Sequence, residues 1–180
     1  MIWGSKKLKD YISNGGVTNT YDGCVNPASI NLRLGDSWAR LPVNDEDGPI
    51  TITLGDEVAY KNYMANSFVL FPGEFILATT MECVDIPVDV ASFVQGRSSI
   101  GRIGLSVQNA GFVDPGFKGH ITLELKNDGP VPIQLLAGYP VAQLIIMDAE
   151  DVEDGYSGKY QNQVRATGSR MHLDKVKVGA

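Results

Sequence analysis

Cysteine and histidine, the usual protein ligands of zinc, are scarce in this chain of 180 residues. It contains two cysteines, Cys24 and Cys83, and two histidines, His120 and His172, all far apart in the sequence. No CxxC, HxE or HExxH spacing occurs. A zinc centre needs three or four such side chains brought together, so neither a structural nor a catalytic zinc site is expected. The cysteines are expected to be reduced and buried, as in a cytosolic protein.

The chain also lacks long apolar runs and any excess of positive charge. No run approaches the ~18 apolar residues of a membrane-spanning helix, and residues 1–16 have no continuous apolar stretch of the kind that signal peptides carry. The formal net charge is −6 without a basic stripe, which argues against general nucleic-acid binding. We therefore expect a cytoplasmic protein that binds neither membranes nor nucleic acids. A local pair such as Arg97 and Arg102 can still bind a small polyanion.

Helical periodicity is confined to the start of the chain. Residues 5–13 predict a short helix with Ser5 as its N-terminal cap and Gly15 beyond its C-terminal end. Short alternating or β-rich runs follow, separated by glycine and proline. These predicted strands are residues 30–34, 50–54, 68–71, 74–79, 90–94, 121–126, 133–136 and 141–147.

This succession of short strands is typical of an all-β jelly-roll or barrel-like domain. No repeat or linker divides the chain, so a single domain over residues 1–180 is expected. Residues 148–158 are acidic and predict a mobile connection. Residues 159–180 are polar and cannot form a core of their own.

Residues 97–102, with the sequence Arg-Ser-Ser-Ile-Gly-Arg, concentrate groups that bind phosphate. Guanidinium groups match phosphate oxygens, Ser98 and Ser99 can donate hydrogen bonds, and Gly101 lets backbone amides approach closely. This composition predicts a phosphate cradle. A solvent-facing turn with basic edges explains the same residues equally well.

Glu124 lies in the alternating residues 121–126. The alternation places Glu124 on one face of a strand with Thr122 and Lys126, opposite three apolar side chains. Such a face is ordinarily solvated. The alternative is that it lines a cleft in which Glu124 exchanges protons with a ligand.

Two other segments also have a structural and a functional interpretation. Asp114 precedes Pro115 and Gly116, a composition that favours a turn over a sugar contact beside Phe117. Residues 156–163 are rich in hydrogen-bond donors and either form a disordered terminus or close over a ligand.

Taken together, these segments resemble the dCTP deaminase family of the dUTPase-like superfamily. The resemblance is dense over residues 95–127 and recurs, in the same order, at residues 27–35, 142–144 and 159–163. It implies a dUTPase-like jelly-roll or β-barrel fold and homotrimers or hexamers with active sites at subunit interfaces. It also implies a flexible tail, residues 156–180, that closes over the site. Deamination by this family is metal-free, which agrees with the missing zinc ligands.

The resemblance assigns roles to individual residues. Glu124 is the implied catalytic proton carrier, and Arg102 and Ser98 are implied to assist catalysis. Magnesium is expected only as a partner of the triphosphate, with no metal site on the protein and no zinc. The implied substrate contacts are Arg97, Ser98, Ser99, Arg102, Asp114, Phe117, Thr122, Leu123, Gln143, Tyr156, Lys159 and Gln163.

Two outcomes of the reaction are open within this family. Some members release dUTP from dCTP, whereas others also cleave between the α and β phosphates and give dUMP and pyrophosphate. Gly111 and Phe112 resemble the second group, in which a small residue leaves room for a water near the α-phosphorus. We therefore expect dUMP formation, with release of dUTP as the alternative and with dUTP and dTTP as further candidate ligands.

The same motifs also allow a dUTP diphosphatase or a non-enzymatic nucleotide-binding regulator. Diphosphatases of this superfamily generally carry an apolar residue where Glu124 stands, so Glu124 favours deamination. Asn31 departs from the family pattern, in which aspartate is usual. Loss of that carboxylate is expected to affect a salt bridge or a metal–water contact rather than the glutamate.

Overall fold

The computed structural model describes residues 1–46, 48–107 and 111–174. The predicted N-terminal helix is confirmed as α1 (Ser5–Ser13), and Gly15, with φ +83°, follows its last turn. Left-handed backbone of this kind commonly ends a helix, and glycine adopts it without steric strain. The predicted Ser5 cap is wrong, because Gly4 occupies the N-cap position and no side chain caps the helix.

Strands make up most of the remaining regular structure in the described part of the chain, beside a second short helix, α2 (Ser98–Gly101), and a 3-10 turn (Met171–Leu173). The strands are β1 (Val17–Thr18), β2 (Ile30–Arg40), β3 (Asn44–Asp45), β4 (Gly48–Pro49), β5 (Lys61–Met64), β6 (Ser67–Leu70), β7 (Phe75–Asp85), β8 (Val90–Gly96), β9 (Leu105–Val107), β10 (Phe112–Val113), β11 (Lys118–Asn127), β12 (Ile133–Leu136) and β13 (Pro140–Asp148).

Among the described residues, one nine-stranded antiparallel sheet forms the body of the fold. Its main path runs β10-β8-β13-β2-β7-β11-β9, with β1 added to β7 and β5 added to β2. The pairings of β2 with β13 and with β7 both contain register shifts, and irregularities of this kind bend and twist a sheet. Two small sheets, β6 with β12 and β3 with β4, complete the β-structure of these residues. The predicted all-β class is confirmed.

The core lies against one face of the curved sheet. Trp38, Leu34, Leu125 and Leu144 are completely buried there, and each such side chain contributes roughly 1.5–3 kcal/mol when it is removed from water. The helix α1 joins this core through Leu8, which is also completely buried. The sheet is therefore held by a continuous apolar interior.

A buried ion pair joins β2 to β7. Glu82 has no exposed surface, and its two carboxylate oxygens accept hydrogen bonds from the backbone N and the Nε of Arg33, both at 2.7 Å. The guanidinium of Arg33 also lies over the ring of Tyr21, 4.7 Å from its centroid. A buried carboxylate is tolerated only when it is paired and hydrogen-bonded in this way. Neither residue was singled out from the sequence.

The strand predicted at residues 50–54 is wrong. These residues form irregular structure and a turn, in which the backbone N of Thr53 donates to the Asp56 carboxylate at 2.9 Å. Residues 51–54 are exposed. An alternating pattern forms a strand only where another strand and an apolar surface are available to it. The other predicted strands are confirmed, several of them longer than their sequence patterns.

The C-terminal segment, residues 149–174 in the described part of the chain, follows β13 and packs against the sheet. Ala166 is buried in a small cluster with Ala39 and Leu77. The tail thus adds to an existing surface and forms no core of its own, as predicted. The predicted tail continues to residue 180, and residues 175–180 lie outside the described part.

Two further findings concern the sequence predictions. Cys24 is buried, Cys83 is partly buried, and both are free thiols. No helix among residues 1–46, 48–107 and 111–174 is long and apolar enough to cross a membrane.

Candidate active site

A cleft of about 400 Å³ lies between β11, the turn that follows β10, and the C-terminal segment. We call it the glutamate cleft after Glu124, which lines it. Nine residues predicted from the sequence meet there. They are Gly111, Phe112, Asp114, Phe117, Thr122, Leu123, Glu124, Tyr156 and Gln163.

Strand β11 sets the position of Glu124. Leu123 and Leu125 are buried on the core side, while Glu124 is half-buried on the opposite side, facing the cleft. The alternation of buried and half-buried residues runs unbroken from Gly119 to Asn127, through the register shift with β7 between His120 and Thr122. The predicted alternation is confirmed, and the face is a cleft rather than an open solvated surface.

Burial raises the pKa of the Glu124 carboxyl above its ordinary value. Desolvation has this effect because it penalises the charged form. A carboxyl with a raised pKa holds and releases a proton closer to neutral pH, which suits a group that shuttles protons. The strand therefore presents a titratable group in a partly dry cleft.

The Asp114 turn forms one wall of the glutamate cleft. Asp114 is exposed and its carbonyl oxygen accepts a hydrogen bond from the backbone N of Phe117 at 3.1 Å. Phe117 is buried, with its ring centroid 5.8 Å from that of Tyr156. Gly116 has φ +83°, and a Cβ there would lie 2.7 Å from backbone atoms of the C-terminal segment. Asp114 thus holds the turn through its backbone and still presents its carboxylate to the cleft.

The C-terminal segment forms the opposite wall. The carbonyl oxygen of Gln163 accepts a hydrogen bond from the backbone N of His120 at 2.9 Å, and the backbone N of Thr167 donates to Thr122 Oγ1 at 3.1 Å. These contacts lay the segment along β11 beside Glu124. Of the two interpretations open from the sequence, a segment that covers a cleft agrees with this geometry.

A second cleft of about 520 Å³, which we call the arginine cleft, contains Arg97 and Ser98. The Arg97 guanidinium donates to the carbonyl oxygen of Pro140 at 3.1 Å. Ile100 is buried and anchors the short helix α2, which begins at Ser98. Val107 lines both clefts, so they are neighbours, but the predicted phosphate loop and Glu124 do not share one cavity within a single chain.

Four predicted residues line neither cleft. Ser99 and Arg102 are exposed, and Arg102 Nε donates to Ser98 Oγ at 3.3 Å. Lys159 pairs with Asp174 and lies over the Tyr160 ring. Gln143 accepts a hydrogen bond from Ser29 Oγ at 3.3 Å. A single chain therefore gathers only part of the predicted site.

Asn31, the departure from the family pattern, is buried close to Gln143. Its Oδ1 accepts a hydrogen bond from Asn26 Nδ2 at 3.0 Å, and the same Nδ2 lies 3.1 Å from Ser29 Oγ. Asn31 thus belongs to a neutral amide and hydroxyl network that includes Gln143. It lines neither cleft.

Several side chains of the glutamate cleft were not predicted. Tyr60 comes from the irregular segment before β5, and Tyr160 and Thr167 come from the C-terminal segment. Tyr160 lies inside a motif that was recognised, so its aromatic ring was a usable signal. No sequence signal connects Tyr60 to residues a hundred positions away along the chain.

No group of three or more His, Cys, Asp or Glu side chains that could hold a metal ion occurs among residues 1–46, 48–107 and 111–174. The polar side chains that line the arginine cleft are instead basic and hydroxylic, apart from the acceptor carboxylate of Asp128. Such donors suit an anion better than a cation.

Comparison with known proteins places this geometry in a family. The family model described as dCTP deaminase-like matches residues 2–149. A protein from Sulfurihydrogenibium sp. (strain YO3AOP1) named "dCTP deaminase, dUMP-forming" is 39% identical over 183 residues, which cover 97% of this chain and 99% of that protein. A protein of the same name from Kocuria rhizophila is 40% identical over 190 residues, with 97% and 96% covered.

A solved structure shares the fold. The crystal structure of 2′-deoxycytidine 5′-triphosphate deaminase from Agrobacterium tumefaciens superposes with a TM-score of 0.63 at 19% identity. The match covers 81% of this chain and 48% of that one, so the chain spans about half the length of that protein. This likeness confirms the predicted fold. The family match over most of the chain, together with the near full-length relatives, shows that this protein belongs to the dCTP deaminase-like family.

Proposed function

We propose that this protein is a dUMP-forming dCTP deaminase. It replaces the amino group at C4 of cytosine by oxygen and then cleaves between the α and β phosphates, giving dUMP, ammonia and pyrophosphate. The observation that carries the proposal is the half-buried Glu124 carboxyl in a cleft of about 400 Å³. The names of relatives at 39% and 40% identity support the same reaction.

In the first step, a water adds to C4. Glu124 takes a proton from that water as its oxygen bonds to carbon, and passes the proton to the ring nitrogen N3. A second proton, from the hydroxyl formed at C4, reaches the amino group through the same carboxyl, and ammonia leaves as the C4 carbonyl forms. The second step uses another water to break the bond between the α-phosphorus and the bridging oxygen.

The raised pKa of Glu124 fits both directions of this transfer. At its ordinary pKa, a carboxyl group is a weak base when ionised. It is also rarely protonated at neutral pH, so it is seldom ready to donate a proton. Desolvation in the cleft raises the pKa of the Glu124 carboxyl toward the pH at which the enzyme works. A well-placed acid–base group contributes roughly 10²–10⁴-fold to the rate, so positioning must supply the rest.

The Asp114 turn and the C-terminal segment are proposed to position the nucleotide. Asp114 presents a carboxylate for the 3′-hydroxyl of the deoxyribose, and Phe117 and Tyr156 form an apolar wall beside the sugar. Gln163 and Thr122 lie where the segment meets β11. We propose that the chain is one domain whose C-terminal segment excludes water from the cleft in this way.

The site is proposed to be completed by another copy of the chain. Arg102 and Ser98, the residues expected to assist catalysis, do not line the glutamate cleft. Their exposure leaves them free to enter the glutamate cleft of a neighbouring protomer. A closed ring, with three copies as the simplest case, would repeat this contact around its axis. The substrate is proposed to arrive as the magnesium complex of dCTP, in which phosphate oxygens hold the ion.

Glu124→Gln tests the chemistry. We expect the variant to bind dCTP with an affinity close to that of the unchanged protein and to release ammonia at least about 10²-fold more slowly. Glu150→Gln, at an exposed glutamate outside both clefts, is the matched control and should retain full activity. Unchanged ammonia release by Glu124→Gln would reject the assignment.

Product analysis tests the second step. With dCTP and magnesium, we expect uracil to accumulate as dUMP, with pyrophosphate in equal amount and without a build-up of dUTP. Accumulation of dUTP alone would replace the proposal by a dCTP deaminase that stops after the first step. Competition by dUTP and dTTP should be measured in the same assay, since both carry the same sugar and triphosphate.

Mixing inactive variants tests the shared site. Glu124→Gln and Ser98→Ala should each be nearly inactive alone, but co-expressed chains should assemble some sites with one intact residue from each partner. Recovery of activity on mixing is the expected result. If the mixture stays as inactive as its parts, the site is formed within one chain.

A further inference from the structure

The arginine cleft contains a lysine that the resemblance does not assign to any role. Its polar lining consists of two cations, Arg97 and Lys126, two hydroxyls, Ser98 and Ser106, and the carboxylate of Asp128. The cleft measures about 520 Å³. Two cations and two hydroxyls around one cavity match a chain of phosphate groups.

Lys126 is held in this cleft by the same strand that presents Glu124. It lies two residues further along β11, on the same face, about 7 Å away along the strand. Across the sheet it pairs directly with Ser106 of β9. Register therefore directs the ammonium into the arginine cleft, where cross-strand neighbours can contact each other.

The ion pair between Lys126 and Asp128 can be broken with little loss of protein stability. Its Nζ lies 2.8 Å from Asp128 Oδ1, and both side chains are 44% exposed. Exposed ion pairs stabilise a protein only weakly. Asp128 also accepts a hydrogen bond from Ser106 Oγ at 2.6 Å, so its carboxylate keeps a donor when Lys126 turns to another anion.

The backbone around this pair is fixed before any ligand arrives. The amide of Asp128 donates to the carbonyl oxygen of Gly104 at 2.8 Å, which ties the end of β11 to the loop after α2. Asn127 is completely buried, and its Nδ2 donates to the carbonyl oxygens of Leu70 and Val131, both at 2.9 Å. Lys126 and Arg97 are thus carried by backbone that hydrogen bonds join into one framework, and a preorganised site binds more tightly.

We propose that Lys126 is a phosphate-binding residue of this protein, which acts with Arg97 on the triphosphate of the substrate. On binding, its ammonium leaves Asp128 and contacts the phosphate oxygens, while Ser106 retains the Asp128 carboxylate. This proposal rests on the proposed function for the identity of the substrate. The anion site itself can be tested without the reaction.

Binding of inorganic tripolyphosphate to the full chain, measured by titration calorimetry at low salt, is the first test. We expect Lys126→Met to weaken binding about 10-fold, because one charge-assisted contact is lost. Lys126→Arg should bind within about 3-fold of the unchanged protein, since it keeps the charge. Lys9→Met, at an exposed lysine of α1, is the matched control and should bind normally.

Turnover of dCTP is the second test. Lys126→Met should raise KM for dCTP about 10-fold and change kcat by less than about 2-fold, because a contact made equally in ground and transition states affects binding alone. If Lys126→Met is unstable, Lys126→Gln provides a second neutral variant, and thermal unfolding identifies which variants are folded.

Three outcomes separate the two proposals. Tripolyphosphate binding that is equal in the unchanged protein and Lys126→Met overturns the role of Lys126, and so does the absence of binding to the unchanged protein. Lysine-dependent tripolyphosphate binding without any uracil product from dCTP overturns the proposed function and leaves the anion site in place.

Discussion

The hydroxyl oxygen of Thr122 accepts a hydrogen bond from the backbone amide of Thr167, with 3.1 Å between the two atoms. Thr122 lies on β11 two residues before Glu124, and Thr167 belongs to the C-terminal segment. One hydroxyl therefore connects the strand that carries the candidate catalytic carboxyl to the segment that forms the opposite wall of its cleft.

Thr122→Val should loosen this connection. The change keeps the shape of the side chain but removes the acceptor, which is worth about 1 kcal/mol. We expect the amides of residues 163–169 to exchange with deuterium about 5-fold faster, as measured by hydrogen exchange with mass spectrometry. Thr18→Val, at an exposed threonine of β1, is the control. Unchanged exchange in this segment would show that its other contacts are sufficient.

Glu124→Gln should stabilise the fold at neutral pH and not at acidic pH. The folded state raises the pKa of this carboxyl through desolvation, so folding binds more protons, and stability falls as pH rises through the folded pKa. The variant lacks this charge and escapes the loss. We expect its Tm to exceed that of the unchanged protein near pH 7, with the difference vanishing below the ordinary glutamate pKa of about 4.3. An equal difference at both pH values would contradict the desolvation account.

Gly111→Ala tests whether the small residue in the glutamate cleft is needed for close packing, for the second reaction step, or for both. A Cβ at this position would lie 2.2 Å from the carbonyl oxygen of Val94 in β8, a contact that the backbone must shift to relieve. We expect a loss of roughly 1–3 kcal/mol in unfolding free energy, measured by denaturant titration. If the variant also releases dUTP instead of dUMP, the glycine leaves room for the second water as well. A stable variant with unchanged products would show that Gly111 is required neither for packing against Val94 nor for the second water.

Arg33→Met should be strongly destabilising. It leaves the Glu82 carboxylate buried without its guanidinium partner, and breaking a buried pair in this way costs about 3–5 kcal/mol. Arg40→Met removes the same kind of partner from Glu74 at an exposed position, where a pair is worth about 0–1 kcal/mol. Chemical denaturation of the two variants should therefore give clearly different losses of unfolding free energy, and similar losses would contradict a stabilising role of the buried pair.

The sequence predicted local structure better than it predicted the assembly of the site. Alternation over residues 121–126 predicted both the strand and the outward face of Glu124, because side chains on successive residues of a strand point to opposite sides. The same alternation failed at residues 50–54, which form irregular structure and a turn and of which residues 51–54 are exposed. Alternation alone does not distinguish Lys126 from an ordinary solvated lysine on the open face of a strand.

Separation of the two clefts had no signal in the sequence. Arg97 and Glu124 lie only 27 positions apart in a single continuous motif, which suggests one site. The structure places them in neighbouring cavities. Arg97 directly follows β8 and Glu124 lies in β11, and these two strands do not pair with each other. Only the sheet order shows this separation, and sheet order depends on contacts between distant segments.

Between His120 and Thr122, strand β11 has the single residue Ile121, whereas the paired stretch of β7 has three, residues 80–82. The length of β11 is therefore as informative as its composition. Removing a single amino acid there would invert the strand from that point onward, turning the Glu124 carboxyl toward the apolar interior and aiming leucines at the nucleotide. The fold can tolerate single substitutions along this stretch, whereas a deletion would abolish both folding and deamination. Libraries built to alter substrate preference should therefore keep the spacing of residues 118–127 constant.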